Sequence, residues 1–84
     1  MRVVVRLFAV ARERAGAASV VLDVGDPVTV GSLKRALREQ VPELAPMLAS
    51  FMVAVDSEYA DEARVIQEGE EVAVIPPVSG GASS

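Results

Sequence analysis

The chain has no cysteine, no histidine and no tryptophan, and its 84 residues include only one tyrosine and two phenylalanines. The lack of thiols and imidazoles excludes disulfides, Cys/His zinc sites, cysteine nucleophiles and every Ser-His or Cys-His relay. Binding to nucleic acid needs a basic face, and base stacking needs aromatics. A net charge of −4 and only Phe8, Phe51 and Tyr59 supply neither, so no nucleic-acid partner is expected. Long hydrophobic runs are also missing. Val3-Val4-Val5 and Leu7 to Ala11 are interrupted by Arg6 and closed by Arg12, too short for a signal-peptide core or a membrane span. The reading is a soluble cytoplasmic protein with no membrane association.

What is present is apolar: 51 % of the residues, with a mean hydropathy of +0.37 and 24 % charged residues, the composition of a folded globule rather than a disordered chain. A chain this short forms one core and buries about 60 % of its unfolded surface. A large enzyme with an enclosed substrate cavity is therefore not expected. Charge is unevenly spread. Residues 1 to 42 carry seven basic side chains against four acidic ones, whereas the remainder carries Arg64 alone against eight. The acidic half leads to the C-terminus and suits a basic protein partner there.

Residues 2 to 8 alternate, with Val3, Val5 and Leu7 on one face and Arg2, Val4, Arg6 and Phe8 on the other, which predicts a strand with one buried face. Ala9 to Ala15, closed by Gly16, reads as a short helix, and Ser19 to Val24 resumes the period of two with Val20, Leu22 and Val24 inward. After the Gly25-Asp26-Pro27 turn, Thr29 caps a helix whose apolar stripe is Val30, Leu33, Ala36, Leu37 and Val41, with Lys34, Arg35, Arg38 and Glu39 on its wet side. Pro42 ends it, and residues 43 to 49, with Pro46 inside, read as a broken helical segment. Phe51 to Val55, apolar on both faces, reads as a buried strand. Tyr59-Ala60 and Val65-Ile66 are candidate short strands, and Val72 to Ile75 is the last strand, stopped by Pro76-Pro77. The pattern predicts an α+β domain with the first and last strands parallel in the centre of a mixed sheet and one main helix packed on it, the ubiquitin-like β-grasp arrangement.

Carboxylates are the only ionisable catalytic candidates. Asp56 and Glu58, Asp61 and Glu62, and Glu68, Glu70 and Glu71 fall in or beside turns, where water keeps them ionised, and they lack the pattern of a calcium loop. No metal site is expected. Two other features carry more. The segment Pro76-Pro77-Val78-Ser79-Gly80-Gly81 leaves the sheet through stiff prolines and reaches two residues with no side chain, able to thread where a Cβ would clash. Residues 1–78 are read as the domain and 79–84 as a flexible tail. Strand parity further sends Ile75 to the same outward face as Phe8, which, if the terminal strands are neighbours, places two large apolar groups beside the departing tail as a docking patch.

The segments Leu7-Phe8-Ala9-Val10-Ala11-Arg12-Glu13, Val53-Ala54-Val55-Asp56 and Glu68-Gly69-Glu70-Glu71-Val72-Ala73-Val74-Ile75-Pro76-Pro77-Val78-Ser79-Gly80-Gly81 resemble the MoaD/ThiS family of ubiquitin-like sulfur carriers, and in particular its molybdopterin synthase branch. The resemblance implies a non-catalytic carrier subunit. An E1-like adenylating enzyme uses ATP to activate the carboxylate of Gly81, a sulfurtransferase supplies sulfur to give a thiocarboxylate, and a large catalytic subunit, in a heterotetramer, consumes it in building molybdopterin. It places partner binding on Phe8, Tyr59 and Ile75, continued by Pro76, Pro77 and Val78, and tail threading on Gly80 and Gly81. It implies no bound cofactor. The family pattern stops at the second glycine, whereas Ala82-Ser83-Ser84 follow here. Either a protease removes residues 82–84, or they are an appended remnant, or this member acts differently. Carriers for thiamin or cysteine synthesis, a ubiquitin-like protein modifier, and a non-covalent binding module with an idle tail are the competing readings.

Overall fold

In the computed structural model, which describes residues 1–76, the alternation of the first strand is realised in full: β1 (Arg2–Leu7) buries Val3, Val5 and Leu7 and leaves Arg2, Val4 and Arg6 in water. β2 (Ser19–Asp23) runs antiparallel to it, with Val4 opposite Val21. The last strand, β5 (Val72–Ile75), lies on the other side of β1 and parallel to it, with Arg6 opposite Ala73 and Leu7 opposite Val74. β3 (Met52–Val55) is antiparallel to β5, β4 (Glu58–Ala60) is antiparallel to β3, and the strand order is β2-β1-β5-β3-β4. Parallel neighbours cannot be joined by a hairpin, so everything between β1 and β5 serves as their crossover.

Two helices and a 3-10 segment fill that crossover. α1 (Ala9–Ala15) ends at Gly16, whose φ of 73° is the left-handed conformation glycine adopts without penalty and whose N–H donates to the Arg12 carbonyl at 2.9 Å. α2 (Val30–Gln40) starts in a complete capping box: Thr29 Oγ1 accepts from the Ser32 N–H at 3.1 Å, and Ser32 Oγ accepts from the Thr29 N–H at 2.8 Å. Its buried stripe of Val30, Leu33, Ala36 and Leu37 packs on the inner face of the sheet. Full burial of Leu33 or Leu37 contributes roughly 1.5–3 kcal/mol each. Proline at positions 42 and 46 prevents an α-helix from continuing, and residues Pro42–Ser50 form the 3-10 segment, with Leu44 and Leu48 turned into the same core.

The mixed sheet carrying one main helix is the ubiquitin-like β-grasp arrangement anticipated from the sequence. Three local expectations need correction. Val65-Ile66 does not form a strand; Val65 makes a single bridge to Thr29, while Ile66 is buried and its N–H donates to the Val28 carbonyl. β3 is buried at Val53, Ala54 and Val55 but not at Met52, which stands on the outer face where no described element covers it. Lys34 is largely covered rather than wet, since its stem packs down while Nζ approaches Glu62 at 3.6 Å. No described helix is long and apolar enough to cross a membrane. The expected tail, residues 79–84, and the boundary drawn before it lie outside the described residues.

Candidate docking site

The uncovered face of the sheet follows from register. β1 and β5 pair so that Arg6 faces Ala73, and β5 and β3 pair so that Ala73 faces Ala54 and Ile75 faces Met52. Ala54 in turn faces Tyr59 across the β3–β4 hairpin. Two alanines side by side in the middle of a sheet leave a trough. Its floor is Ala54 and Ala73, its sides are Phe8 and Arg6 toward β1 and Tyr59 toward β4, and Ile75 and Glu71 lie along β5. The groove encloses about 390 Å³. Phe8, at 41 % exposed, and Tyr59, at 64 %, are large apolar groups that the chain's own core leaves open to water. Val4 and Val21 extend the apolar face beyond Arg6.

Local backbone geometry sets the rim. Asp56 and Ser57, both at positive φ (51° and 70°), turn the chain between the paired Val55 and Glu58, the signature of a type I′ hairpin turn. Asp56 also locks this turn to β5: its N–H donates to the Glu71 carbonyl at 2.8 Å, and its Oδ1 accepts from the Glu71 N–H at 2.8 Å. Asp56 is thus an exposed turn carboxylate that also serves as a structural acceptor. Arg6 Nη1 donates to Glu71 Oε2 at 2.6 Å, and the Arg6 guanidinium carbon sits 5.6 Å from the centre of the Phe8 ring.

Away from the groove, Glu70 is also engaged rather than merely solvated. It receives a bidentate pair from Arg64, 3.1 Å on each arm, and the Gln67 N–H at 2.7 Å. The Arg64 hydrogen bond, followed by that of Gln67, holds the Glu70 carboxyl below the usual glutamate range, and Glu70 in turn raises Arg64. Among the described residues no three Asp or Glu side chains come together as metal ligands.

Of the residues singled out in the sequence, Phe8, Tyr59 and Ile75 line this one groove. Pro76 does not: it is buried where β5 ends. Pro77, Val78, Gly80 and Gly81 lie outside the described residues. Sequence reasoning missed Arg6, Ala54, Ser57, Glu71 and Ala73 as groove residues. Parity puts Arg6 on the outer face with Phe8, yet only the pairing of β1 with β5 brings it together with Glu71 and Ala73.

A five-stranded mixed sheet packed on one main helix, with an open apolar trough on its other face, defines by its fold a small ubiquitin-like β-grasp protein. More narrowly, the chain belongs to the ThiS family, whose model matches residues 5–81. It is 35 % identical to the human molybdopterin synthase sulfur carrier subunit over 83 residues, covering 95 % of this chain and 94 % of that one. Its fold is similar to the crystal structure of SAMP1 from Haloferax volcanii, with a TM-score of 0.82, 31 % identity, and coverage of 96 % of this chain and 100 % of the other. It also superposes on one chain of a protein–protein complex of subunits 1 and 2 of the molybdopterin-converting factor from Helicobacter pylori, with a TM-score of 0.68. That match covers 96 % of this chain and 100 % of the other, and at 22 % identity it shows the shared fold.

Proposed function

We propose that this chain is the sulfur carrier subunit of a molybdopterin synthase, with Gly81 bearing the transferable sulfur. The observation that carries the reading is the near full-length similarity to the human sulfur carrier subunit, supported by a family match that runs as far as Gly81. The Helicobacter pylori complex, in which a protein of this fold is joined to a second subunit, supports a second-subunit partner, and the Phe8–Tyr59–Ile75 groove is the surface on which we propose it sits.

The chemistry follows from the carboxylate. A terminal carboxyl, with an ordinary pKa of about 3.3 to 3.7, is ionised at neutral pH and is a poor acyl electrophile. It is nevertheless a competent nucleophile toward the α-phosphate of ATP. Attack there releases pyrophosphate and leaves an acyl adenylate; hydrosulfide then adds to the acyl carbon, AMP departs, and loss of a proton gives the thiocarboxylate. The activating side chains belong to an adenylating enzyme of the cytoplasm, and the sulfur comes from a sulfurtransferase, whose persulfide is reduced by a thiol, itself oxidised to a disulfide, to release hydrosulfide. Positions 80 and 81, having no side chains, suit passage through a narrow channel in each partner.

The test uses two forms, one ending at Gly81 and one carrying Ala82-Ser83-Ser84. Each is incubated with ATP, sulfide and the activating enzyme and read by intact mass. The form ending at Gly81 exchanges one oxygen for sulfur; the longer form does not, because its Gly81 carbonyl is held in a peptide bond. Sulfur on the longer form with residues 82–84 still attached would overturn the mechanism. The likeness to SAMP1, a small archaeal modifier protein, favours attachment to lysines as the second reading, which isopeptide-linked ladders in cell extracts would reveal.

A further inference from the structure

The docking face contains one charge pair that carrying sulfur does not call for. The parallel register sets Arg6 opposite Ala73, one diagonal step from Glu71 on the same face, and the two side chains meet at 2.6 Å. Glu71 is fixed from the backbone side by its two hydrogen bonds with Asp56. Arg6 in turn lies near the Phe8 ring. Both charged side chains line the same trough as Phe8, Tyr59 and Ile75, so a protein seated on the three apolar groups covers the pair as well.

In the free chain the Arg6 and Glu71 side chains are 56 % and 54 % exposed, and such a pair adds little to stability. Under a partner the water is displaced, and an unaccompanied guanidinium becomes strongly unfavourable. Arg6 brings its own acceptor. A carboxylate presented from outside would meet Glu71 as a like charge before it gained anything from Arg6.

We propose that the Arg6–Glu71 pair is a specificity-determining element of the docking face. It delivers the cation to the interface already neutralised, so the face selects a partner surface that is apolar opposite Phe8, Tyr59 and Ile75 and has no carboxylate opposite Arg6. This rests on the large-subunit reading above and names the chemistry of the surface that reading requires.

The test titrates purified large subunit of molybdopterin synthase from the same source against the parent chain, Glu71→Gln, Arg6→Met, the double variant and Phe8→Glu, by calorimetry well below the lowest melting temperature of the set. Glu71→Gln strands the cation and weakens binding about thirtyfold or more. The double variant returns to within about threefold of the parent, the coupling a buried pair produces. Phe8→Glu weakens binding at least about tenfold. Unchanged or tighter binding of Glu71→Gln would mean that the partner supplies its own carboxylate, and an equal loss in Glu71→Gln and the double variant would mean that Glu71 touches the partner directly. Either result overturns the pair's role while the Phe8→Glu loss leaves the docking reading standing. Full affinity in Phe8→Glu removes the docking reading and this inference with it.

Discussion

The two faces of the sheet are built from alternate residues of the same strands, and both are rich in apolar side chains. On the inner face Val3, Val5, Leu7, Val53, Val55, Val72 and Val74 are all buried. On the outer face Val4, Phe8, Val21, Met52 and Tyr59 remain exposed. Residue type does not separate the two sets. What separates them is a covering layer: the single long helix, α2, and the 3-10 segment that follows it contribute Leu33, Leu37, Leu44 and Leu48 to the inner face. The described residues place helices on one face only. Apolar groups on the other face contribute little to the fold and remain available to a partner, so burial in this molecule follows layer count rather than hydrophobicity.

That contrast breaks most sharply where α2 meets the sheet. Leu37→Ala removes a fully buried side chain from the inner face and lowers unfolding free energy by about 2–5 kcal/mol, measured by urea denaturation. Tyr59→Ala on the outer face changes the same quantity by no more than about 0.5 kcal/mol. A large stability loss in the Tyr59 variant would erase the distinction between the faces. Thr29→Ala removes one half of the capping box and costs about 1 kcal/mol, because α2 then starts with an unpaired N–H. A loss near zero would mean that packing alone fixes where α2 begins.

The smallest effect is acid-dependent and lies away from both faces. Glu70 is held below its ordinary range by Arg64 and the Gln67 N–H, so the folded chain gives up this proton more readily than the unfolded one. Its contribution is complete above the unfolded value of about 4.3 and is lost as the pH falls through the lower folded value. Arg64, raised by the same bond, stays protonated throughout. Glu70→Gln therefore flattens the acid limb of a stability-against-pH profile and leaves the binding face untouched. An unchanged acid limb would show that this pair is not felt in folding.

Legibility in the sequence was greatest where one periodicity met one burial environment. β1, α1 with its glycine stop, the capped α2 and β5 were readable because alternation, capping chemistry and proline stops are local signals. Val65-Ile66 was misread because two β-branched residues look like a strand whether or not a neighbour offers a ladder; here only Thr29 does. Lys34 was misread because the position of Glu62 across the fold is not encoded in helix periodicity. For the site, parity brought Phe8 and Ile75 to one face, whereas Tyr59 came only from family resemblance, since a three-residue strand carries too little pattern to orient.

The sequence by itself determined the chemistry denied to this chain and the presence of a two-glycine segment, since residue identity alone settles whether a thiol, an imidazole or a bare backbone is present. It also determined the inward set of each long strand, because a period of two admits only two assignments. The tertiary structure decided the rest: that β5 lies between β1 and β3, that Ala54 and Ala73 meet to form a trough, and that Arg6 finds Glu71 from 65 residues away. Those outcomes depend on which strands pair and in what register, a property of the whole sheet that no window of neighbouring residues contains.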